Sequence, residues 1–364
     1  MKDRIKKDLL ELMLLPGLSG YEDRVRRSIK TRLSDQGIDS QTDRLGNLHA
    51  HFPGNGPRVM LFTHMDQLGF IVRKIEANGL LRLERLGGVP ERALASQDVL
   101  ICVAEGHDVP GIIANKSHHA TAPSEKYTVV PYAQLYVDTG HGSAEAVEAA
   151  GIRIGQPVVY APHALELASD RVCGTSIDDR AGCAVLLALA TSLNDRSAGP
   201  PVDLAFTVQE EFNLRGAQPL AQQLQPDIAI QIDLMMATDT PDMEARGEMT
   251  LGCGPGMSLY SFHGRGTLNG VIPHPAMVSL FETTAKNGNI PLQRSAQTGV
   301  LTDLSYVQLT GSGVASIDMG FPLRASHSSR EICDLNDLVQ LTELLDAALS
   351  NIDPGFSLNR DDYT

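Results

Sequence analysis

Cysteine is scarce in this chain and poorly spaced for chemistry. Cys102, Cys173, Cys183, Cys253 and Cys333 make an odd count with no CxxC pair, which argues against a disulfide framework and a thiolate zinc site alike. Cys183, beside the apolar run from Ala184 to Leu187, reads as a small core residue. Long hydrophobic runs are missing as well. No stretch approaches the roughly 20 apolar residues that cross a bilayer, and the charged start from Met1 to Asp8 lacks the apolar core of a signal peptide. A soluble, cytoplasmic protein is expected. Basic charge is also short: 30 Lys plus Arg face 44 Asp plus Glu, a net charge of −14. That balance repels phosphates, so neither nucleic acid nor an anionic membrane is expected as a partner.

What is present suffices for a large core. The 364 residues are 42% apolar and 20% charged, which excludes a disordered chain and favours two domains or one with an insertion. Helical spacing of Ile5, Leu9, Leu12 and Leu15 predicts a helix over 4–15, ended by Pro16-Gly17. Further helices are expected over 22–34, 179–193, 271–287 and 335–350. Apolar runs at 58–63, 202–208, 227–232 and 314–319 read as strands. Strands alternating with helices give an α/β layered fold with a largely parallel sheet. Residues 71–164 break that alternation. Gly69–Ile75, the Asn78-Gly79 turn and Leu80–Leu83 read as a hairpin, and glycines and prolines punctuate the remainder of the segment. A mainly β domain over 71–164 is therefore expected, inserted into an α/β domain formed by 1–70 and 165–364.

Five polar motifs fall just past probable strand ends, the edge where ligands bind in open α/β sheets. Thr63-His64-Met65-Asp66 alone reads as a polar turn, or as an imidazole oriented by a carboxylate to bind metal. Asp178-Asp179, opening an apolar helix, fits a helix cap as well as a metal ligand. In Val208-Gln209-Glu210-Glu211 adjacent carboxylates point opposite ways, so that one can bind metal while the other reaches a water. Asp233 ends the apolar run Ile228–Ile232, and Ser326-His327-Ser328 follows the last strand. Together they offer imidazoles and carboxylates without thiolate. That set suits zinc, cobalt or manganese, and one shared carboxylate would make it a two-metal hydrolytic site.

These motifs, with Leu214-Arg215-Gly216-Ala217, Asp239-Thr240-Pro241 and Pro322-Leu323-Arg324, resemble the tetrahedral-aminopeptidase family of dinuclear metallopeptidases. That family includes glutamyl aminopeptidases, and some members carry an old endoglucanase label. The resemblance runs over nearly the whole chain. It implies a three-layer α/β metallopeptidase domain with a mixed, mostly parallel sheet, plus a barrel-like β insertion. It implies two divalent ions, zinc first and cobalt or manganese otherwise. One would be held by His64 and Asp233, the other by Glu211 and His327, with Asp178 bridging. Glu210 would be the general base and Asp66 would orient His64. The Asp178–Asp179 bond would be cis, and the subunits would form a homo-oligomer, a dodecamer, acting on peptides.

The sequence departs from the family at Phe212-Asn213, Ala325 and Ser329, near the ligands without replacing one. Thr302, Asp303 and Arg324 are candidate substrate contacts, although Thr302-Asp303 also fits a helix cap. His118-His119 reads as an exposed loop, and Gly252-Cys253-Gly254-Pro255-Gly256 as a turn, because it lacks the Lys-Ser/Thr of a phosphate loop. The expected activity is metal-dependent removal of N-terminal residues from peptides. A deacylase on the same site is the alternative. A glycoside hydrolase gives the histidines no task, and an assembly protein without activity has no need of the full set.

Overall fold

A computed structural model of the chain describes residues 1–263 and 270–363. The larger part is a three-layer α/β domain. Its sheet has nine strands among the described residues. The central strands Val202–Thr207, Val59–His64, Ile228–Met236 and Ala315–Leu323 lie side by side and parallel. Leu48–Phe52 and Gly256–Phe262 join them antiparallel, which makes the sheet mixed.

Period-2 alternation sends each strand's side chains to two separate cores. Val59 and Leu61 face the helices Lys2–Met13, Asp23–Ser34, Ile177–Asp195, Pro275–Gly288 and Leu335–Ser350, whose apolar stripes share one core with them. Met60 and Phe62 face the opposite layer, built from Ala217–Leu224 and Leu304–Val307. Because helices cover both faces, these strands are buried almost throughout and mostly apolar, rather than alternating buried and exposed. Each fully buried Leu or Phe contributes roughly 1.5–3 kcal/mol, so the two cores anchor the sheet edge that carries the polar motifs. Cys183 is fully buried in the larger core, as its apolar neighbours imply.

Two strands run further than expected. The expected strand over 227–232 continues to Met236, and that over 314–319 continues to Leu323. Asp233 therefore lies within a strand rather than at its end. The extension pairs Leu234, Met235 and Met236 with Phe321, Pro322 and Leu323. Pro322 is tolerated there because the neighbour on its other side, Gly256–Phe262, pairs only with Met319 and Gly320, which leaves no ladder bond for its missing N–H.

Between the His64 and Asp178 motifs the chain forms a closed antiparallel barrel. Its strands are Gly69–Ile75, Leu81–Leu86, Asp98–Ile101, Val109–Ile113, Val137–Asp138 and Pro157–Tyr160. Phe70, Val72, Leu81, Val99, Ile101 and Val158 fill a core of its own. Gly79, at φ +84°, supplies the left-handed residue of the first hairpin. His118 and His119 lie exposed in a single turn of the segment after Ile113. The Gly252–Gly256 stretch is a turn whose Gly252 and Gly254 amides donate to the Asp337 carboxylate at 2.8 Å each.

Candidate metal centre

The carboxyl ends of the parallel strands bring the motifs together. His64 closes Val59–His64, and Glu210 and Glu211 follow Val202–Thr207 in a loop. Asp233 projects from Ile228–Met236, while His327 comes from the loop after Ala315–Leu323. Asp178 arrives from the opposite direction, at the start of Ile177–Asp195. Ser176 is left-handed at φ 61°, Asp178 and Asp179 are non-helical, and the peptide bond between them is cis.

The two aspartates divide the roles that sequence alone left open. Asp179 caps the helix, its Oδ1 accepting the Gly182 amide at 3.1 Å, and its Oδ2 accepts the Thr63 hydroxyl. Gly182 is required there, since a Cβ would meet Thr63 Oγ1 at 2.2 Å. Asp178 turns to the site instead. Its Oδ1 lies 3.1 Å from His64 Nε2 and its Oδ2 lies 3.4 Å from His327 Nε2. His64, Asp178 and Asp233 present ligand atoms all within 4.8 Å of one another, and so do Asp178, Glu211 and His327. Asp178 is common to both groups.

The histidines are oriented alike. Nδ1 of His64 lies 3.2 Å from the Asp66 carbonyl, and Nδ1 of His327 lies 3.0 Å from the Gly88 carbonyl. An Nδ1–H donated to a carbonyl leaves Nε2 as the ligand atom, and both Nε2 atoms face Asp178. Charge in the cluster is out of balance. Burial, reinforced by Asp178, pushes Glu211 up to about 7 against the pull of His327. Burial, then Asp179 and Asp178, push Asp233 well above the usual carboxylate range. Burial alone would lower His64, but its hydrogen bonds to Asp178 and Asp66 outweigh that and raise it. Burial likewise opposes, and Glu211 and Asp178 reverse, the shift that takes His327 to about 9. Divalent cations would offset this crowding of buried carboxylates, and the all-nitrogen-and-oxygen donor set fits them.

Glu210 belongs to neither group. It is buried, and burial first, then the charges of Asp233, Glu211 and Asp303, raises its carboxyl well above the ordinary value while His64 opposes. Asp66 does more than stand beside His64. Its carboxylate accepts the backbone amides of Glu210 and Glu211 at 3.0 Å each, and the Ser19 hydroxyl. Arg324 holds Asp239 through two bonds of 2.8 and 2.7 Å, which occupies the fork considered for substrate. Asp303, fully buried, is pushed up to about 7 mainly by burial. Its Oδ2 accepts the Thr207 hydroxyl at 3.3 Å, and the Thr302 hydroxyl donates to Asp318 at 2.9 Å.

Three supports escaped sequence reasoning. Glu331 accepts the amide of His327 at 2.7 Å and that of Asp178 at 3.1 Å, so one carboxylate ties together two loops that carry the site. Glu22 accepts the amide of Gln209, just ahead of the glutamate pair, at 3.1 Å. Gly88 reaches in from the barrel. Glu331 stands four residues after His327, but nothing in the local sequence distinguishes it from a surface glutamate.

Known proteins match the chain over most of its length. Residues 46–344 match the family model described as M42 glutamyl aminopeptidase. The SgcX protein of Escherichia coli (strain K12) is 36% identical over 95% of this chain and 94% of its own. The lysyl aminopeptidase of Pyrococcus furiosus is 30% identical over 93% and 95%. The TET1 peptidase of Pyrococcus horikoshii, which assembles into a tetrahedron or a large octahedral shell, superposes with a TM-score of 0.85. It is 28% identical, with 95% of this chain and 99% of that one covered. By sequence and by fold, this chain belongs to the M42 glutamyl aminopeptidase family of peptidases.

Proposed function

We propose that the chain is a dinuclear metal-dependent aminopeptidase. The observation that carries this reading is the shared position of Asp178 between two ligand groups that each hold one histidine and one further carboxylate. His64 and Asp233 would hold one ion and Glu211 and His327 the other, zinc in the first instance, with cobalt or manganese able to substitute. Such ions supply Lewis acidity toward a carbonyl and make water a better acid. Glu210, which is buried and joins neither group, would take a proton from the attacking water and return it to the leaving amine. Asp66 holds Glu210 and Glu211 in register through their backbone amides. The substrate's free amino terminus would meet the acidic cluster, so that residues leave one at a time.

Assembly into a homo-oligomer, a dodecamer in its full form, belongs to the same reading and is supported by the assemblies of the TET1 relative. The domain division proposed is 1–70 and 165–364 for catalysis, with 71–164 for subunit contacts. Among the described residues no helix is long and apolar enough to cross a membrane, and five unpaired cysteines favour a reducing, cytoplasmic setting. The test is hydrolysis of aminoacyl 4-nitroanilides beside their N-acetylated forms, with and without chelator. The free-amine substrates should be cleaved, chelation should abolish the activity, and zinc, cobalt or manganese should restore it. Full activity in metal-free protein, or preference for the acetylated forms, would overturn the reading.

A further inference from the structure

Leu48–Phe52 carries two histidines that take no part in the ligand cluster. Period-2 alternation sends Leu48, Ala50 and Phe52 into the larger core and turns His49 and His51 to the opposite sheet face. Over Met60, Phe62 and Ala205 that face is covered by Ala217–Leu224. Beside the outer strands it holds a groove of about 570 Å³ that opens to solvent. His49, His51, Asp203 and Arg58 line the groove, together with Gln41. Strand register sets their neighbourhood: Asp203 stands opposite His51, and Gln41 stands opposite His49. Asp203 begins the strand whose last residue, Thr207, pairs with His64. The groove and the cluster therefore lie about 13 Å apart along that strand.

The two imidazoles are prepared in different ways. His51 Nδ1 lies 2.9 Å from Asp203 Oδ1, and Asp203 Oδ2 accepts the Arg58 Nε–H at 2.7 Å. A carboxylate only accepts, so Nδ1 of His51 carries the proton and Nε2 is left as the donor atom. A carboxylate behind an imidazole is how metal-binding histidines are held in tautomer and orientation, and this one is 1% exposed. His49 is 7% exposed, and its Nδ1 has no hydrogen-bond partner. Burial lowers the pKa of His49 against the pull of Asp203 and Asp43, so the ring is neutral at pH 7, the form that ligates metal. A buried nitrogen without a partner is costly and uncommon. Two residues apart on one strand face, the side chains start about 7 Å apart, a span that one ion bridges with bonds of about 2.0–2.1 Å to each ring. Imidazole donors suit zinc, nickel or copper(II) rather than magnesium or calcium. Among the described residues no third His, Cys, Asp or Glu completes a ligand group here, so water and the amide oxygen of Gln41 are left to fill the shell.

We propose that His49 and His51 form a peripheral site for one divalent transition-metal ion, with Asp203 as the residue that orients His51. The site shares no ligand with the Asp178 cluster, and it stands whatever bond the chain hydrolyses.

The test is equilibrium dialysis of the full chain against zinc, followed by elemental analysis of the ions bound per chain. The parent is compared with His51→Gln, with Asp203→Asn and with His118→Ala/His119→Ala, which removes the exposed histidine pair of the barrel. His51→Gln should bind one zinc fewer than the parent, and the His118→Ala/His119→Ala variant should match the parent. Asp203→Asn should weaken binding of that ion about 10- to 100-fold. Equal counts in the parent and His51→Gln, or a count that falls only when His118 and His119 are removed, would overturn the site. Parental affinity in Asp203→Asn would refute the orienting role. A measurement on the parent alone guards against variants that fail to fold: diethyl pyrocarbonate modification is mapped by mass spectrometry with and without zinc. Zinc should shield His51, whose side chain is 51% exposed, and modification that zinc leaves unchanged would refute the assignment.

Discussion

Replacing Glu331 by alanine should loosen the metal centre although Glu331 is assigned to neither ion. The side chain is 2% exposed, and its two oxygens accept the amides of His327 and Asp178 at 2.7 and 3.1 Å. Alanine leaves both amides without their carboxylate partner, that of Asp178 in buried surroundings and that of His327 in half-buried ones. A buried orphaned donor costs about 1–3 kcal/mol, which applies in full to the Asp178 amide and in part to the half-buried His327 amide, so the pair costs at most about 6 kcal/mol. Some of this is recovered. Burial, with the charge of Asp178, holds the Glu331 carboxyl well above its usual range, and alanine removes that burden. Glutamine separates the two terms, because its oxygen can serve one amide while its NH₂ confronts the other. Metal affinity should therefore rank parent, then Glu331→Gln, then Glu331→Ala. Losing such an outer support typically weakens metal binding about 10- to 100-fold. Competition with a chromophoric zinc chelator reads the affinity, and urea unfolding of metal-free protein reads the stability. Parental affinity and midpoint in Glu331→Ala, or a glutamine variant worse than alanine, would refute the clamp.

Glu210→Gln should keep both ions and lose about 10²–10⁴-fold in turnover, whereas Glu211→Ala should lose one ion; metal content measured beside kcat checks the pair, and the reverse pattern would exchange their roles. Asp318, raised by burial from 3.8 to about 7, binds its proton more tightly folded than unfolded, so its contribution is complete below about pH 4 and is lost as pH rises through 7. Asp318→Asn should flatten that decline and gain up to about 4 kcal/mol over the parent at pH 8, less the cost of an unpaired amide; urea midpoints at pH 4.5 and 8 decide, and an equal decline in both proteins counts against it. Tyr127, Val129 and Val130, exposed by 96%, 48% and 41% between barrel strands, should be covered by neighbouring subunits. Serine at all three positions should lower the mass seen by light scattering, and an unchanged mass would place the contacts elsewhere.

The layered fold was legible because its signals are local. Strands buried on both faces read as unbroken apolar runs, and helices 335–350 and 22–34 read from their spacing almost to the residue. Strand ends were less legible. Where Ile228–Met236 stops depends on its partner Ala315–Leu323, and pairing between segments so far apart in the chain leaves no local mark. The candidate ligands were legible as polar residue types beside apolar runs: His64, Glu210, Glu211 and His327 after strands, Asp178 at a helix start and Asp233 inside a strand. Their order along the chain carried the resemblance.

Which polar groups meet one another was decided by folding. Asp178 and Asp179 are equivalent in sequence, and backbone geometry alone turns one to the cluster and the other to the helix amides. Glu331, Asp66 and Glu22 became supports because tertiary packing set their carboxylates against backbone amides far away in sequence. A hydrogen bond to a backbone amide asks nothing of the partner's side chain, so the sequence at the other end records no trace of it. Patterns of burial are written residue by residue along the chain, whereas such contacts exist only once distant segments meet.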